Sequence, residues 1–200
     1  MTGLPMKSGE SVPVWGMIDH GSRTVLQLEP VAKYNSLILL GKLLVAFGRN
    51  GLPKAVRSDN DAVFKTWTFR LMLRLLGVKQ QFTALHSPWQ NGRIERFWRT
   101  MKETLRTRPR RCCEGLRIIE EQMRFASVEA MSEVLKSFQD FYNFSRPHQA
   151  LGGQTPAQVW HRQVEEMRDG ESVEKQRTTT TTKTRRTPSK RLASERDASG

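Results

Sequence analysis

Cysteine is nearly missing from this sequence. The two that occur, Cys112 and Cys113, are adjacent, and neighbours in sequence rarely close a structural disulfide. No Cys/His spacing surrounds them, which argues against a structural zinc site. No apolar run is long enough to cross a bilayer: the densest, from Ser36 to Phe47, is interrupted by Gly41 and Lys42. The N-terminus lacks the basic-then-apolar layout of a secretory signal, so the expected location is the cytoplasm. Internal repeats are absent. Acidic residues are scarce beside basic ones, 20 against 33, leaving a net charge of +13. That excess points to a polyanionic partner, nucleic acid first, held through counterion release from phosphates. Residues 175–200 carry +6 of it, and much of the remainder clusters between Arg93 and Arg111. A basic tail therefore accounts for only about half of the signal.

What is present reads as alternating strands and helices. Val12 to Ile18 and Thr24 to Leu28 are β-rich runs around a Gly-containing turn, the pattern of a hairpin. Apolar residues from Tyr34 to Phe47 are too dense for strand alternation and predict a helix, capped by Asn35 or Ser36 and ended near Gly48. Ala55 to Asp59 predicts a short strand. Phe64 to Leu76 predicts one helix, with Trp67, Leu71 and Leu75 on one stripe and Gly77 as its C-cap. Val78 to Ala84 predicts another strand. After Ser87-Pro88 a helix is expected from about Asn91 to Arg106, burying Ile94, Phe97, Trp98, Met101 and Leu105. Ser127 caps a further predicted helix over Val128 to Phe141, and Thr155-Pro156 opens a last one. Beyond about Glu171 the chain is Thr-rich and basic with nothing apolar to bury, and disorder is expected. Alternation at this pitch indicates an α/β sheet domain.

Two carboxylates stand out. Asp59 sits where a strand meets a turn, Glu95 sits on the first turns of a helix, and thirty-five residues separate them. Acids at a strand's end and on a helix crossing that edge can converge and hold a hard divalent ion through oxygen ligands. Two such ions clamp the attacking and leaving oxygens of an in-line phosphoryl displacement. The plainer reading is that Asp59 caps a turn and Glu95 pairs with Arg96 or Arg99 on its own helix. Spacing alone favours the plainer one.

The flanking residues add a resemblance. Arg57-Ser58-Asp59-Asn60-Asp61-Ala62-Val63-Phe64 and Ser87-Pro88-Trp89-Gln90-Asn91-Gly92-Arg93-Ile94-Glu95-Arg96-Phe97-Trp98 are similar to motifs of the DDE integrase/transposase family of bacterial insertion elements. So are Tyr142-Asn143-Phe144-Ser145-Arg146-Pro147-His148-Gln149-Ala150-Leu151-Gly152 with Thr155-Pro156, and the turn Asp19-His20-Gly21-Ser22-Arg23. The matches fall in order and cover roughly Val12 to Trp160. The resemblance implies an integrase core with an RNase H-like fold, a mixed sheet flanked by helices. It implies Asp59 as the second catalytic acid and Glu95 as the third, both ligating Mg²⁺ or Mn²⁺ in a two-ion site. Asp61 stands where the pattern more often has glycine.

The family's first acid lies upstream of the aspartate-to-arginine turn, and counting back reaches Met1 without meeting one. The expectation is therefore an N-terminally incomplete core that lacks the first strand and first metal ligand and is inactive as written. Asp19 is the less favoured candidate for that acid. The expected organisation is a catalytic core over 1–110, a helical part of the integrase region over 111–170, and a disordered basic tail over 171–200. Arg93, Arg96, Arg99, Lys102 and Arg106 are expected to contact DNA phosphates from the Glu95 helix. Arg146 and His148 are read chiefly as a local turn network, and His86 as a helix-entry hydrogen bond. Element ends and target DNA are the implied partners, with a homo-multimer on DNA in a bacterial, nucleoid-associated setting and no membrane. The competing readings are a non-catalytic DNA-binding remnant and a general basic nucleic-acid-binding protein.

Overall fold

The computed structural model describes residues 2–83, 92–107 and 124–169. Expectations placed on His86, Ser87-Pro88, Trp89, the cysteine pair, the basic run 108–111 and the tail 171–200 lie outside the described residues. The chain divides into two compact units, residues 1–160 and 161–200. The second is described over 161–169, where it is helical.

Side-chain alternation along one strand sets the architecture of the first unit. Strand β2 (Ser11–Ile18) lies between β1 (Thr2–Pro5) and β3 (Val25–Pro30), antiparallel to both. Successive strand residues point to opposite faces. Val12, Val14 and Ile18 face one core, with Leu4, Met6, Val25 and Leu28 of the neighbouring segments. Trp15 and Met17 face the other. The hairpin of β2 and β3 is thus where the sequence put it. Strand β1 is a correction: Thr2–Pro5 pairs with β2 at the edge where the sequence reading expected no strand.

Helix α1 (Ser36–Asn50) begins at Asn35, whose Oδ1 accepts from Ile38 N at 2.9 Å. It runs through Gly48 and ends only at Gly51, whose φ of 87° is a left-handed value that suits glycine. Its Leu39, Leu40, Leu43 and Phe47 fill the second core. Strand β4 (Ala55–Ser58) follows and later pairs in parallel with β5 (Lys79–Phe82).

Between them the single expected helix is broken. Thr66, with ψ of 146°, separates α2 (Ala62–Lys65) from α3 (Trp67–Leu75). The break resets the helical phase, so the stripe Trp67, Leu71, Leu75 faces solvent, with exposures of 71%, 40% and 71%. Phe69 and Leu73 take the core positions instead, at 1% each.

Helix α4 (Gly92–Thr107) lays Phe97, Met101 and Leu105 against the first face of the sheet. Helix α5 (Val128–Asp140) packs there too, through Met131, Val134, Leu135 and Phe138. Ser127 Oγ caps α5 by accepting from Ala130 N at 3.1 Å. The helix continues as a π-helical turn, Phe141–Ser145, where Phe97, Phe138 and Tyr142 meet with ring centroids 5.2–6.0 Å apart. Helix α6 covers residues 156–169. Thr155 and Gln158 exchange bonds at its start, Gln158 N donating to Thr155 Oγ1 at 3.4 Å and Thr155 N to Gln158 Oε1 at 2.9 Å.

Candidate active site and nucleic-acid interface

Three pieces of chain carry the candidate residues: the turn between β2 and β3, the end of β4, and the first turn of α4. Asp19 organises the first of these. Its Oδ2 accepts from Ser22 N at 2.7 Å and lies 2.9 Å from Ser22 Oγ, while its backbone N–H donates to Thr24 O at 2.8 Å. Ser22 is fully buried, and Thr24 Oγ1 donates onward to Pro156 O at 3.0 Å. Arg23 turns the chain at φ 66°, the one left-handed non-glycine among the described residues. The carboxylate of Asp19 is thus occupied in holding a turn.

Asp59 lies just past β4 and is exposed. Its Oδ1 accepts only a long bond, 3.4 Å from Asp61 N. The polar turn around it is fixed by its neighbours. Asn60 Nδ2 donates to Thr83 O, and Thr83 N donates to Ser58 O at 3.0 Å, tying the turn to the end of β5. Asp61 has a local task that explains an acid at this position. Its Oδ1 caps α2 by accepting from Val63 N at 3.1 Å, and its Oδ2 accepts from Tyr34 OH at 2.7 Å. The Tyr34 bond, first, holds the Asp61 carboxyl below its ordinary range. Burial, then that bond and the nearby acids, push the Tyr34 phenol above its own.

Glu95 is exposed on the first turn of α4, the helix end where a carboxylate meets the positive pole of the dipole. Arg99, Lys102 and Arg106 follow on its face at helical spacing, and all are exposed, as is Arg96. Arg93 turns the other way. Its Nη1 contacts His20 through the ring Nδ1 at 2.7 Å and through the backbone oxygen. Arg57, two residues before Asp59, reaches Gln81 Oε1 at 3.2 Å, and its charge acts on both His20 and Arg93. Arg93 thus ties the start of the Glu95 helix to the turn between β2 and β3. His20, Arg23 and Arg57 were not singled out in the sequence. The signal was available, since all three lie within the two motifs that carry Asp19 and Asp59.

Arg146 and His148 belong to a local network. His148 N donates to Gln154 O at 3.0 Å, and its ring meets Tyr142 edge-on at 4.6 Å. Both exposed acids offer hard oxygen donors, the ligand type that suits Mg²⁺ or Mn²⁺. Among the described residues no group of three His, Cys, Asp or Glu stands close enough to hold a metal. The donor set fits a divalent ion in kind, with two acids rather than three.

Residues 76–156, which contain Glu95 and the Tyr142–Gly152 motif, match the family described as Integrase core domain. Over 77 residues the chain is 35% identical to the Gag-Pol polyprotein of baboon endogenous virus, strain M7, covering 38% of this chain and 4% of that protein. Over 59 residues it is 39% identical to the Pol polyprotein of feline endogenous virus ECE1, covering 30% and 6%. The chain therefore spans a small part of the curated relatives it matches. These relatives are retroviral rather than from bacterial insertion elements. Among solved structures, the catalytic core domain of BIV integrase superposes with a TM-score of 0.61 at 19% identity, over 84% of this chain and 95% of that one. The simian T-cell lymphotropic virus intasome gives 0.63 at 17% identity, over 80% and 51%. The HTLV-2 integrase catalytic core domain in complex with magnesium gives 0.58 at 18%, over 80% and 91%. The fold is that of an integrase catalytic core. The arrangement is RNase H-like, with helices packed on the strands.

Proposed function

We propose that this chain is the catalytic core of an integrase or transposase of a mobile element, acting on DNA by metal-dependent phosphoryl transfer. What supports the reading is the match of residues 76–156, which contain Glu95, to the integrase core domain, on an integrase-core fold that carries Asp59 just past β4. Asp59 and Glu95 would hold Mg²⁺ or Mn²⁺, which when bound supplies charge neutralisation at the scissile phosphate and an activated oxygen nucleophile. The acids act as ligands and are not nucleophiles. Arg99, Lys102 and Arg106, on the Glu95 face of α4, bind and orient the DNA backbone beside the acids. Asp19 serves as the cap of its turn, because its Oδ2 already accepts from Ser22. The retroviral relatives support the integrase reading, and the four sequence motifs favour an insertion-element source within it. A homo-multimer on DNA belongs to the same proposal, supported by the intasome among the structural neighbours.

The second reading is a DNA-binding core that does not cleave, in keeping with there being no group of three His, Cys, Asp or Glu among the described residues that could hold a metal. A nicking assay on duplex DNA with Mg²⁺ or Mn²⁺ separates the two. With two of the three acids assigned, the proposal expects weak metal-dependent cleavage that Asp59→Asn and Glu95→Gln each reduce further, by at least about 100-fold or about 2.7 kcal/mol of barrier, with metal-free DNA affinity retained. Asp19→Ala is expected to lower stability. Salt-sensitive DNA binding without any cleavage selects the second reading. Cleavage that survives both acid substitutions refutes the assignment of the acids.

A further inference from the structure

Two carboxylates at alternate positions of one turn make a chelating pair, as the first and third positions of calcium-binding loops do. Asp59 and Asp61 have that spacing, and the backbone N–H of Asp61 lies 3.4 Å from Asp59 Oδ1. A cation held by Asp59 therefore has a second carboxylate on offer from its own turn. That ligand would compete with Glu95, which comes from α4. The structure gives Asp61 other partners. Its Oδ1 accepts from Val63 N at 3.1 Å as the cap of α2, and its Oδ2 accepts from Tyr34 OH at 2.7 Å. The cap alone does not call for an aspartate, because asparagine or serine caps a helix as well with a single oxygen. Tyr34 occupies the oxygen that the cap leaves over. It stands directly ahead of α1, where Asn35 fixes the chain by accepting from Ile38 N at 2.9 Å. Its side chain is exposed, so core packing does not explain its place.

We propose that Tyr34 is a positioning residue for the metal site: it withholds the Asp61 carboxylate from the ion, so that Asp59 shares that ion with Glu95. This rests on the reading of Asp59 and Glu95 as metal ligands. Tyr34 touches neither metal nor DNA and acts through Asp61. Without its hydroxyl, Asp61 Oδ2 is free to join Asp59 on the cation. Binding then becomes tighter, because ligand charge count sets the affinity of such oxygen sites, and it stops depending on Glu95.

The test needs no turnover. Mn²⁺ alone is titrated into the full chain, and the free ion is followed by its electron paramagnetic resonance signal. The parent is compared with Tyr34→Phe, with Asp61→Asn, which keeps an oxygen for the α2 cap, and with the two combined. Tyr34→Phe is expected to bind Mn²⁺ on the order of tenfold more tightly, through the added carboxylate. The combined variant is expected to return to the affinity of Asp61→Asn alone, close to the parent. Glu95→Gln is expected to weaken binding in the parent and to change it little beside Tyr34→Phe. Tyr34→Ala releases Asp61 by a second route and is expected to tighten binding in the same way. A merely structural role for Tyr34 would lower the thermal midpoint without tightening Mn²⁺ binding, whether or not Asp61 is present. That result, or an unchanged affinity in both Tyr34 variants, overturns the proposal. If the parent binds no Mn²⁺, or Asp59→Asn leaves its binding intact, the ligand assignment made above fails. Tyr34→Phe then decides alone: binding gained there and lost with Asp61→Asn keeps Tyr34 as the restraint on Asp61, and no gain sinks it.

Discussion

Gly16→Ala is the sharpest test of how the sheet holds the helix that carries Glu95. Gly16 lies on the α4 side of β2, in register between Val14 and Ile18, and Trp98 of α4 lies across it. A Cβ added there would stand 2.4 Å from Trp98 Cη2, 2.9 Å from Cζ2 and 3.3 Å from Cζ3. Ordinary carbon contacts lie at about 3.5–4.0 Å, so the indole must retreat by about 1 Å. The obstacle is the far edge of a rigid ring. That ring is itself packed on Phe97, with centroids 4.9 Å apart, and Phe97 is buried. Overpacking of this kind costs about 1–3 kcal/mol. Replacing a strand glycine by alanine returns about 0.5–1 kcal/mol of backbone entropy. The steric term wins, and the net loss is about 0.5–2 kcal/mol.

Urea unfolding followed by circular dichroism measures that loss as a lowered midpoint at unchanged slope. The cause is isolated by repeating the substitution in a Trp98→Leu background, where the indole edge is gone. There Gly16→Ala is expected to be neutral or stabilising, giving a coupling of about 1 kcal/mol or more between the two sites. Because Trp98 sits three residues beyond Glu95, the single variant is also expected to weaken DNA binding. A Gly16→Ala chain as stable as the parent, or one equally destabilised with and without Trp98, refutes the packing argument.

Two further expectations follow from burial and charge. Leu73→Ala is expected to cost about 2–5 kcal/mol, because it empties a core position. Leu75→Ser, on the exposed stripe, is expected to stay within about 0.5 kcal/mol, and comparable losses in urea unfolding would restore the single-helix reading of 64–76. His148 is held down to about 4 from 6.5 by burial, with Arg146 next, so the folded chain binds fewer protons than the unfolded one between those values. Its stabilising share is complete above about pH 6.5 and is lost as pH falls through about 4. His148→Gln is therefore expected to flatten the decline of the thermal midpoint over that window, and parallel curves for parent and variant would contradict the assignment.

Much of this was legible in the sequence, and the reasons are local. The cap at Asn35, the cap at Ser127 and the Thr155-Pro156 start announce helices through side-chain chemistry that acts within a turn. The stripe Phe97, Met101, Leu105 follows from helical spacing alone. Trp67, Leu71 and Leu75 obey the same spacing and point outward. Periodicity says which residues share a face, and the break at Thr66 decides which face meets the core. The acids at 59 and 95 were named from motif and spacing. The role of Asp61, which caps α2 and receives Tyr34, depends on a partner 27 residues away and left no periodic trace. The same holds for Arg57, whose partner Gln81 lies on β5, 24 residues away.

The turn between β2 and β3 shows why the segment after α5 is part of the candidate site though it holds none of its acids. Asn143, buried in the π-helical turn, grips Val25 on both backbone groups, accepting from its N–H at 2.9 Å and donating to its C=O at 2.9 Å. Gln139 Nε2 adds a second bond to the same carbonyl at 2.9 Å. The extra residue of a π-turn carries Tyr142 inward against Phe97 and Phe138 while Asn143 still reaches the strand. Val25 directly follows Thr24, whose hydroxyl is tied to Pro156. The start of β3 is therefore clamped from the α5 side, and the strained Arg23 sits just ahead of the clamp. Fixed there, the turn cannot relax Arg23 out of its left-handed conformation without releasing bonds to buried groups, each costing about 1–3 kcal/mol to leave unmade. The left-handed Arg23 is thus held in place by packing more than a hundred residues away in sequence. Through Asn143, the Tyr142–Gly152 motif holds that turn in place.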